Sequence, residues 1–176
     1  MPSPVGHVLG GLAAGWLVDA PQRDRRWLVY GAAGALPDLD LIVGSHRGPT
    51  HSLAAAVVVG LAVAAFASSA RASAPWKLGA AAGAAWASHV LLDWLGSDTS
   101  APIGVMALWP FSRAYFESGL HVFMAVSRRY WLPEFFGHNM RALAREGAVL
   151  LPLVAAIGWW RGVGSRTRAG TIARDR

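Results

Sequence analysis

The sequence predicts an all-α, multi-pass integral membrane bundle of four or five helices, and three observations predict it. Hydrophobic residues make up 54% of the 176-residue chain and charged ones 15%, with a mean hydropathy of +0.36, against about 45–50% and about 25% in ordinary soluble domains. Uncharged runs approaching the length of a bilayer crossing alternate with short basic linkers, the pattern that the positive-inside rule leaves. No run alternates apolar and polar residues with period two, so strands have no signal. A buried, Ala-rich helical core in water is the competing arrangement for this composition. The length fits one domain, placed at residues 1–160, with 97–142 as an interfacial, extracytoplasmic excursion and 161–176 as a basic disordered tail.

The first helix is expected near 5–20. The residues before it, Met-Pro-Ser-Pro-Val-Gly-His, carry no basic n-region, so a cleaved signal peptide is not expected. The second, near 27–43, follows Arg23, Arg25 and Arg26, and Pro37 should disturb it just before Asp38. The third, near 52–70, is the clearest span: Ser52 to Ala70 is uncharged over 19 residues and would be about 28 Å long as a helix, close to the ~30 Å hydrocarbon core. The fourth, near 76–96, is uncharged from Leu78 to Leu92 apart from His89, and Trp76 and Trp94 suit the two interfaces. The fifth, near 143–160, is built on the apolar run from Gly147 to Trp160. Gly6/Gly10, Gly11/Gly15 and Gly79/Gly83 have the small-x-x-x-small spacing that lets helix backbones approach closely.

Between Gly96 and Arg145 prolines, aromatics and five arginines replace the Ala-rich runs. The stretch 120–141 mixes Phe123, Tyr130, Trp131, Phe135 and Phe136 with Arg128 and Arg129, as a helix in the headgroup region or an amphipathic lid would. Lys and Arg number 16 against 10 Asp and Glu, a net charge of +6. The cations are spread over linkers, excursion and tail rather than along one face, which argues against nucleic acid and for membrane lipids as the partner. Cysteine is absent, so disulfides, thiolate metal sites and cysteine nucleophiles are excluded, and any metal is held by nitrogen and oxygen.

The chemistry-bearing residues gather at a few places: His7; Asp38 and Asp40; His46 and His51; His89 and Asp93. Ionisable groups at membrane depth are costly and mark functional or paired sites. His89 and Asp93 are four apart, on one face of a helix, so they can share a metal or pair with each other. If the segments cross alternately with 21–26 and 71–77 in the cytoplasm, all these residues fall at the opposite, extracytoplasmic end. As a set they match the N/O donor set of hydrolytic sites of zinc, manganese or iron. The expected metal-binding residues are His7, Asp38, His46, His51, His89 and Asp93, with His46 and Asp40 as further ligands or as groups that orient an imidazole. Asp40 is the expected general base, and Arg47, beside two of the ligands, is expected to hold a phosphate oxygen. His121, His138 and Glu117 lack such partners and are read as interfacial. No Gly-rich phosphate loop follows a strand and Gly-x-Ser-x-Gly is absent. Ser52 and Ser88 each adjoin a histidine, but sequence neighbours point apart on a helix.

These same pieces, His7, Leu36-Pro37-Asp38-Leu39-Asp40, His46-Arg47-Gly48-Pro49-Thr50-His51-Ser52, Ser88-His89-Val90-Leu91-Leu92-Asp93 and Gly104 to Leu108-Trp109-Pro110-Phe111, resemble the YdjM-like family of bacterial inner-membrane proteins, in which metal-dependent hydrolysis is inferred. The resemblance covers roughly residues 1 to 112. It implies a multi-pass inner-membrane protein whose His and Asp residues bind metal. The family often has Thr-x-x-Gly soon after His-x-x-x-Asp; here Gly-Ser-Asp-Thr-Ser-Ala-Pro-Ile-Gly follows, which makes Asp98 a further candidate. The expected activity is hydrolysis of a phosphoester of a lipid or lipid-linked molecule, with zinc as the first choice of metal. The competing expectation is a non-catalytic metal-binding membrane protein: a sensor, transporter or scaffold.

Overall fold

The structure, a computed structural model, describes residues 1–21, 24–42 and 46–162, and the backbone alone of residues 43 and 163–174. It is all-helical, with α1 (Pro4–Val18), α2 (Arg26–Ala35), α3 (Leu53–Ser69), α4 (Pro75–Leu95) and α5 (Phe135–Arg174), and two 3-10 helices, Leu36–Val43 and Pro49–His51. Among the described residues there is no strand, only the isolated bridges Gly96–Phe123 and Val105–Phe116. Where the sequence expects a disordered tail from residue 161, the backbone continues α5 to Arg174, and residues 175–176 lie outside the described residues.

Consecutive helices run in opposite directions. α4 packs on α1, α2 and α3, while α1 also packs on α2 and α5; α1 and α4 therefore form the centre and α3 and α5 the flanks. α5 is parallel to α1, because Glu146 meets Ser3 at one end and Arg161 donates to the carbonyls of Trp16 and Val18 at the other.

The glycines allow these contacts. A methyl on Gly34 would lie 2.3 Å from the His7 carbonyl oxygen and 2.9 Å from the Gly11 Cα, and one on Gly79 would lie 2.4 Å from the Gly60 carbonyl oxygen. α1 and α2, and α3 and α4, thus touch backbone to backbone, the close approach that small residues at this spacing allow between helices. The core between α1, α2 and α4 is Tyr30, Ala33, Ala81 and Ala85, and a second cluster of Leu92, Phe123 and Leu150 fastens the excursion and α5 to α4.

Two elements differ from the sequence expectation. The segment 27–43 is not one α-helix: it tightens to 3-10 at Leu36, where Pro37 lacks the N–H for an i→i−4 bond. The stretch 120–141 is irregular until Phe135, directly after Pro133 and Glu134; proline disfavours α geometry in the residue before it, and α5 then begins eight residues ahead of the expected 143. One helix among the described residues, Phe135–Gly162 of α5, is long and apolar enough to cross a membrane; α1 and α3 are shorter apolar helices. Large apolar side chains face outward along the flanks, including Leu61 (66% exposed) and Phe66 (76%) on α3 and Trp159 (75%) on α5.

Candidate metal centre

Four segments deliver polar side chains to one end of the bundle. His7 comes from the second turn of α1, Asp38 and Asp40 from the 3-10 helix after α2, His51 from the short 3-10 helix before α3, and His89 and Asp93 from the last turns of α4. Local sequence explains each placement. Pro49 opens the short 3-10 helix, and Ser52 caps α3, accepting from the Ala55 N–H and donating to the Pro49 carbonyl. Ser88 donates to the Ala85 carbonyl. Neither serine bonds a histidine.

The imidazole Nε2 atoms of His7, His51 and His89 converge on two carboxylates. His7 Nε2 is 3.3 Å from Asp93 Oδ1 and 3.9 Å from Asp38 Oδ2. His51 and His89 stand 3.4 and 3.2 Å from Asp93 Oδ2, and each 3.7 Å from Asp38 Oδ1. Most of these separations are too long for good hydrogen bonds. Donors bound to one ion at about 2.0–2.2 Å and roughly 90–110° apart are separated by about 3.0–3.5 Å. His7, His51, His89 and Asp93 are 0–2% exposed, whereas Asp38 keeps 15% of its side chain accessible.

Hydrogen bonding gives the same answer by elimination. His7 Nε2 and Nδ1, His51 Nε2, His89 Nε2, Asp38 Oδ1 and both Asp93 oxygens are buried without a hydrogen-bond partner. Leaving one buried polar group unpaired costs roughly 1–3 kcal/mol, more if it is charged. Six of these atoms, all but His7 Nδ1, face one point and could hold a cation, and such an N/O donor set is accepted by zinc, manganese and iron. Ligand atoms of His7, His89 and Asp93, and those of Asp38, His46 and His51, lie within 4.8 Å of one another.

The surrounding contacts aim the ligands. His89 Nδ1 lies 2.7 Å from the Gly34 carbonyl, so its N–H donates there and Nε2 turns its lone pair inward. His51 Nδ1 is 3.2 Å from Asp40 Oδ2, the carboxylate–histidine arrangement that fixes a ligating imidazole. Burial alone would lower the pKa of His51, but the facing carboxylates of Asp38, Asp40 and Asp93 outweigh it and raise it to about 9. Two carboxylates require positive charge here, whether a proton or a metal supplies it. Asp40 also accepts from the Arg47 backbone N–H at 3.1 Å, the Thr50 hydroxyl at 2.7 Å and His46 Nδ1 at 2.7 Å. His46 Nε2 then faces Asp38 Oδ1 across 4.0 Å, at the rim of the cluster.

Arg47 stands beside the ligands in sequence but is buried with φ +68°. Its guanidinium meets both Asp98 oxygens at 2.9 Å and donates to the Ser100 and Pro102 carbonyls. Asp98 is therefore bound to Arg47 and to the Gly104 N–H, not to the His/Asp cluster. His121 and Glu117 form an exposed pair at 3.7 Å, and His138 Nε2 donates to the Ala125 carbonyl.

Sequence reasoning missed Glu146, 1% exposed on α5, whose carboxylate accepts the N–H and hydroxyl of Ser3 and so braces the start of α1 one turn before His7. Its signal was an acid just ahead of an apolar run. It also missed Asp19, 1% exposed, which accepts from Tyr30 OH at 2.6 Å and Arg26 Nη1 at 2.9 Å and pairs with Lys77 at 3.2 Å. This network ties α1, α2 and α4 at the end away from the cluster. An apolar groove of about 480 Å³ lies between α3 and α4, but the opening that meets the cluster is a different one. That cleft, of about 900 Å³, is lined by Asp38 together with residues 125–129 and the start of α5.

A family model described as YdjM inner membrane protein matches residues 1–166. No curated protein and no solved structure matches the chain.

Proposed function

The chain belongs to the YdjM inner membrane protein family, and we propose that this membrane protein is a multi-pass, metal-dependent hydrolase whose site faces the extracytoplasmic side and acts on a phosphoester of a lipid or lipid-linked molecule. One observation carries the reading: three imidazole nitrogens, both Asp93 oxygens and Asp38 Oδ1, buried and unpartnered, surround a single point and open to a cleft on the Asp38 side. His7, Asp38, His51, His89 and Asp93 would hold the metal. When bound by these residues, a divalent ion would supply Lewis acidity for a phosphoryl oxygen and for a water near neutral pH.

The protein's own groups do the rest. Gly34 and Asp40 lock the His89 and His51 rings. Asp40, the base expected from the sequence, already faces four donors, so we assign to His46 the role of taking a proton from an attacking water: its Nδ1–H is held on Asp40, and Nε2, 3.2 Å from Met1 Sδ, looks across the rim towards Asp38. Asp40 thus acts through His46, stabilising the imidazolium that forms. Outward apolar side chains on α3 and α5, and exposed aromatics along 130–136, support a bundle set in lipid with its cleft at headgroup depth. The multi-pass reading rests on α1–α4 crossing together with α5, the shorter helices being compatible with local bilayer thinning.

The experiment is elemental analysis of the purified full chain, followed by a mixed phospholipid panel scored for released phosphate or headgroup. Stoichiometric zinc, and turnover abolished by chelation and by Asp93→Ala, are expected. A metal-free protein sinks the site; a metal-replete, folded protein inert to the panel and to a broader ester screen sinks the hydrolase. The near-complete burial of four ligands favours a second reading, a structural or sensing metal, and that screen separates the two.

A further inference from the structure

We infer that Arg128, with Arg129 beside it on the cleft wall, forms the subsite that binds the phosphate group of the substrate; this rests on the metal-hydrolase reading and names the residue that selects its ligand. Arg128 Nη2 lies 3.5 Å from His46 Nε2, and His46 Nε2 is 4.0 Å from Asp38 Oδ1. The guanidinium is therefore one side chain away from the cluster, on the side where the cluster opens. Arg128, Arg129 and Asp38 line the same cleft, with Glu134 as its other carboxylate. Among the described residues neither Arg128 nor Arg129 has a carboxylate within ion-pair distance, although both are exposed.

Arg47 lines this cleft too, but Asp98 and two backbone carbonyls take its N–H groups, so Arg128 and Arg129 are the side-chain cations left to meet an anion, and Arg128 is the one beside His46. A planar guanidinium on one side and a metal on the other would grip a tetrahedral oxyanion from two directions, with charge-assisted bonds on the arginine side. The chain directly after these arginines presents Tyr130 (76% exposed), Trp131 (67%) and Leu132, with Phe136 (72%) next along the rim. Exposed aromatics beside paired cations match an interface crowded with phosphates. The ligand class is a phosphomonoester or phosphodiester, taken from a lipid headgroup or from a small soluble molecule.

The test uses the full chain in nanodiscs of neutral phosphatidylcholine, with metal content measured for every preparation and binding read by calorimetry, so that it does not depend on turnover. Inorganic phosphate and phosphatidic acid are the two probes. Arg128→Gln should weaken binding by about 10- to 100-fold, the range of a lost charge-assisted bond, with metal content unchanged. Arg128→Lys should fall between, and Arg113→Gln, outside the cleft, should match wild type. Equal loss for both probes assigns the subsite to phosphate itself; loss for phosphatidic acid alone assigns it to the lipid headgroup. The inference is overturned if Arg128→Gln keeps wild-type affinity, if wild type binds neither probe, or if Arg128→Gln loses the metal, which would make Arg128 part of the cluster's scaffold. A wild type that binds phosphate without holding metal would fail the hydrolase reading and leave the subsite standing.

Discussion

Asp40 receives two imidazoles, a threonine hydroxyl and a backbone N–H on its two oxygens, so it governs the orientation of His46 and His51 together. Asp40→Asn keeps the volume but offers one acceptor oxygen for four donors. Metal affinity is expected to fall about 10- to 100-fold, as when a supporting carboxylate is lost, measured by competition against a chelator. Asp93→Asn removes a charge that three imidazoles approach within 3.2–3.4 Å and should abolish stoichiometric metal; retention of one equivalent would show that the cluster is not the metal centre. The candidate ligands were legible in the sequence because charged and imidazole groups are conspicuous in apolar runs. The division of labour between Asp38 and Asp40 was not. Two residues apart on a 3-10 turn they point to different sides, and only the fold shows which side holds the other histidines. Asp98 lies 51 residues from Arg47, so their pairing left no local trace.

Helix contacts and site geometry are coupled at Gly34. Its carbonyl accepts from His89, and its Cα faces Gly11 so closely that an added methyl would meet the His7 carbonyl at 2.3 Å. Gly34→Ala must push α1 and α2 apart, at a cost of about 1–3 kcal/mol. A lower thermal midpoint together with reduced metal content is expected, whereas stability loss with full metal would uncouple packing from the site. At the other end Asp19 clamps three helices outside the apolar spans. Burial alone would raise its pKa, but the bonds from Tyr30, Arg26 and Lys77 outweigh it and hold it below the usual range. A carboxylate depressed on folding contributes stability that is full above its unfolded pKa of about 3.9 and is lost as pH falls through the folded value. Asp19→Asn should therefore cost about 2 kcal/mol at pH 6–8, and the gap to wild type should close below about pH 4 in acid unfolding followed by circular dichroism. Helix existence was readable from uncharged runs. The early start of α5 was not, since 135–142 carries Arg141, His138 and Asn139 amid its apolar residues.

At the scale of the whole molecule the alternation of helices puts the His/Asp cluster and the 97–134 excursion at one end and the ends of the 19–26 and 71–77 linkers, joined through Asp19, at the other. This convergence is what the sequence-derived topology expects, and it required only that each helix reverse direction; which helix touches which was illegible, because glycine spacing is common in Ala- and Gly-rich runs. Ten of the 16 Lys and Arg residues belong to those two linkers or to the sequence from Arg161 onward, and six to segments at the cluster end. Cations near helix ends favour the cytoplasm, and of the six, Arg47 is buried against Asp98. The cluster end should therefore face out. The chain has no cysteine, so a single introduced thiol reports its side without background. Ala114→Cys, exposed in the excursion, should react with a membrane-impermeant maleimide in intact spheroplasts, and Ala70→Cys, exposed after α3, only after permeabilisation. The reverse labelling would place the cluster in the cytoplasm and turn the substrate search to the inner leaflet, and labelling of both thiols without permeabilisation would contradict a crossing by α3.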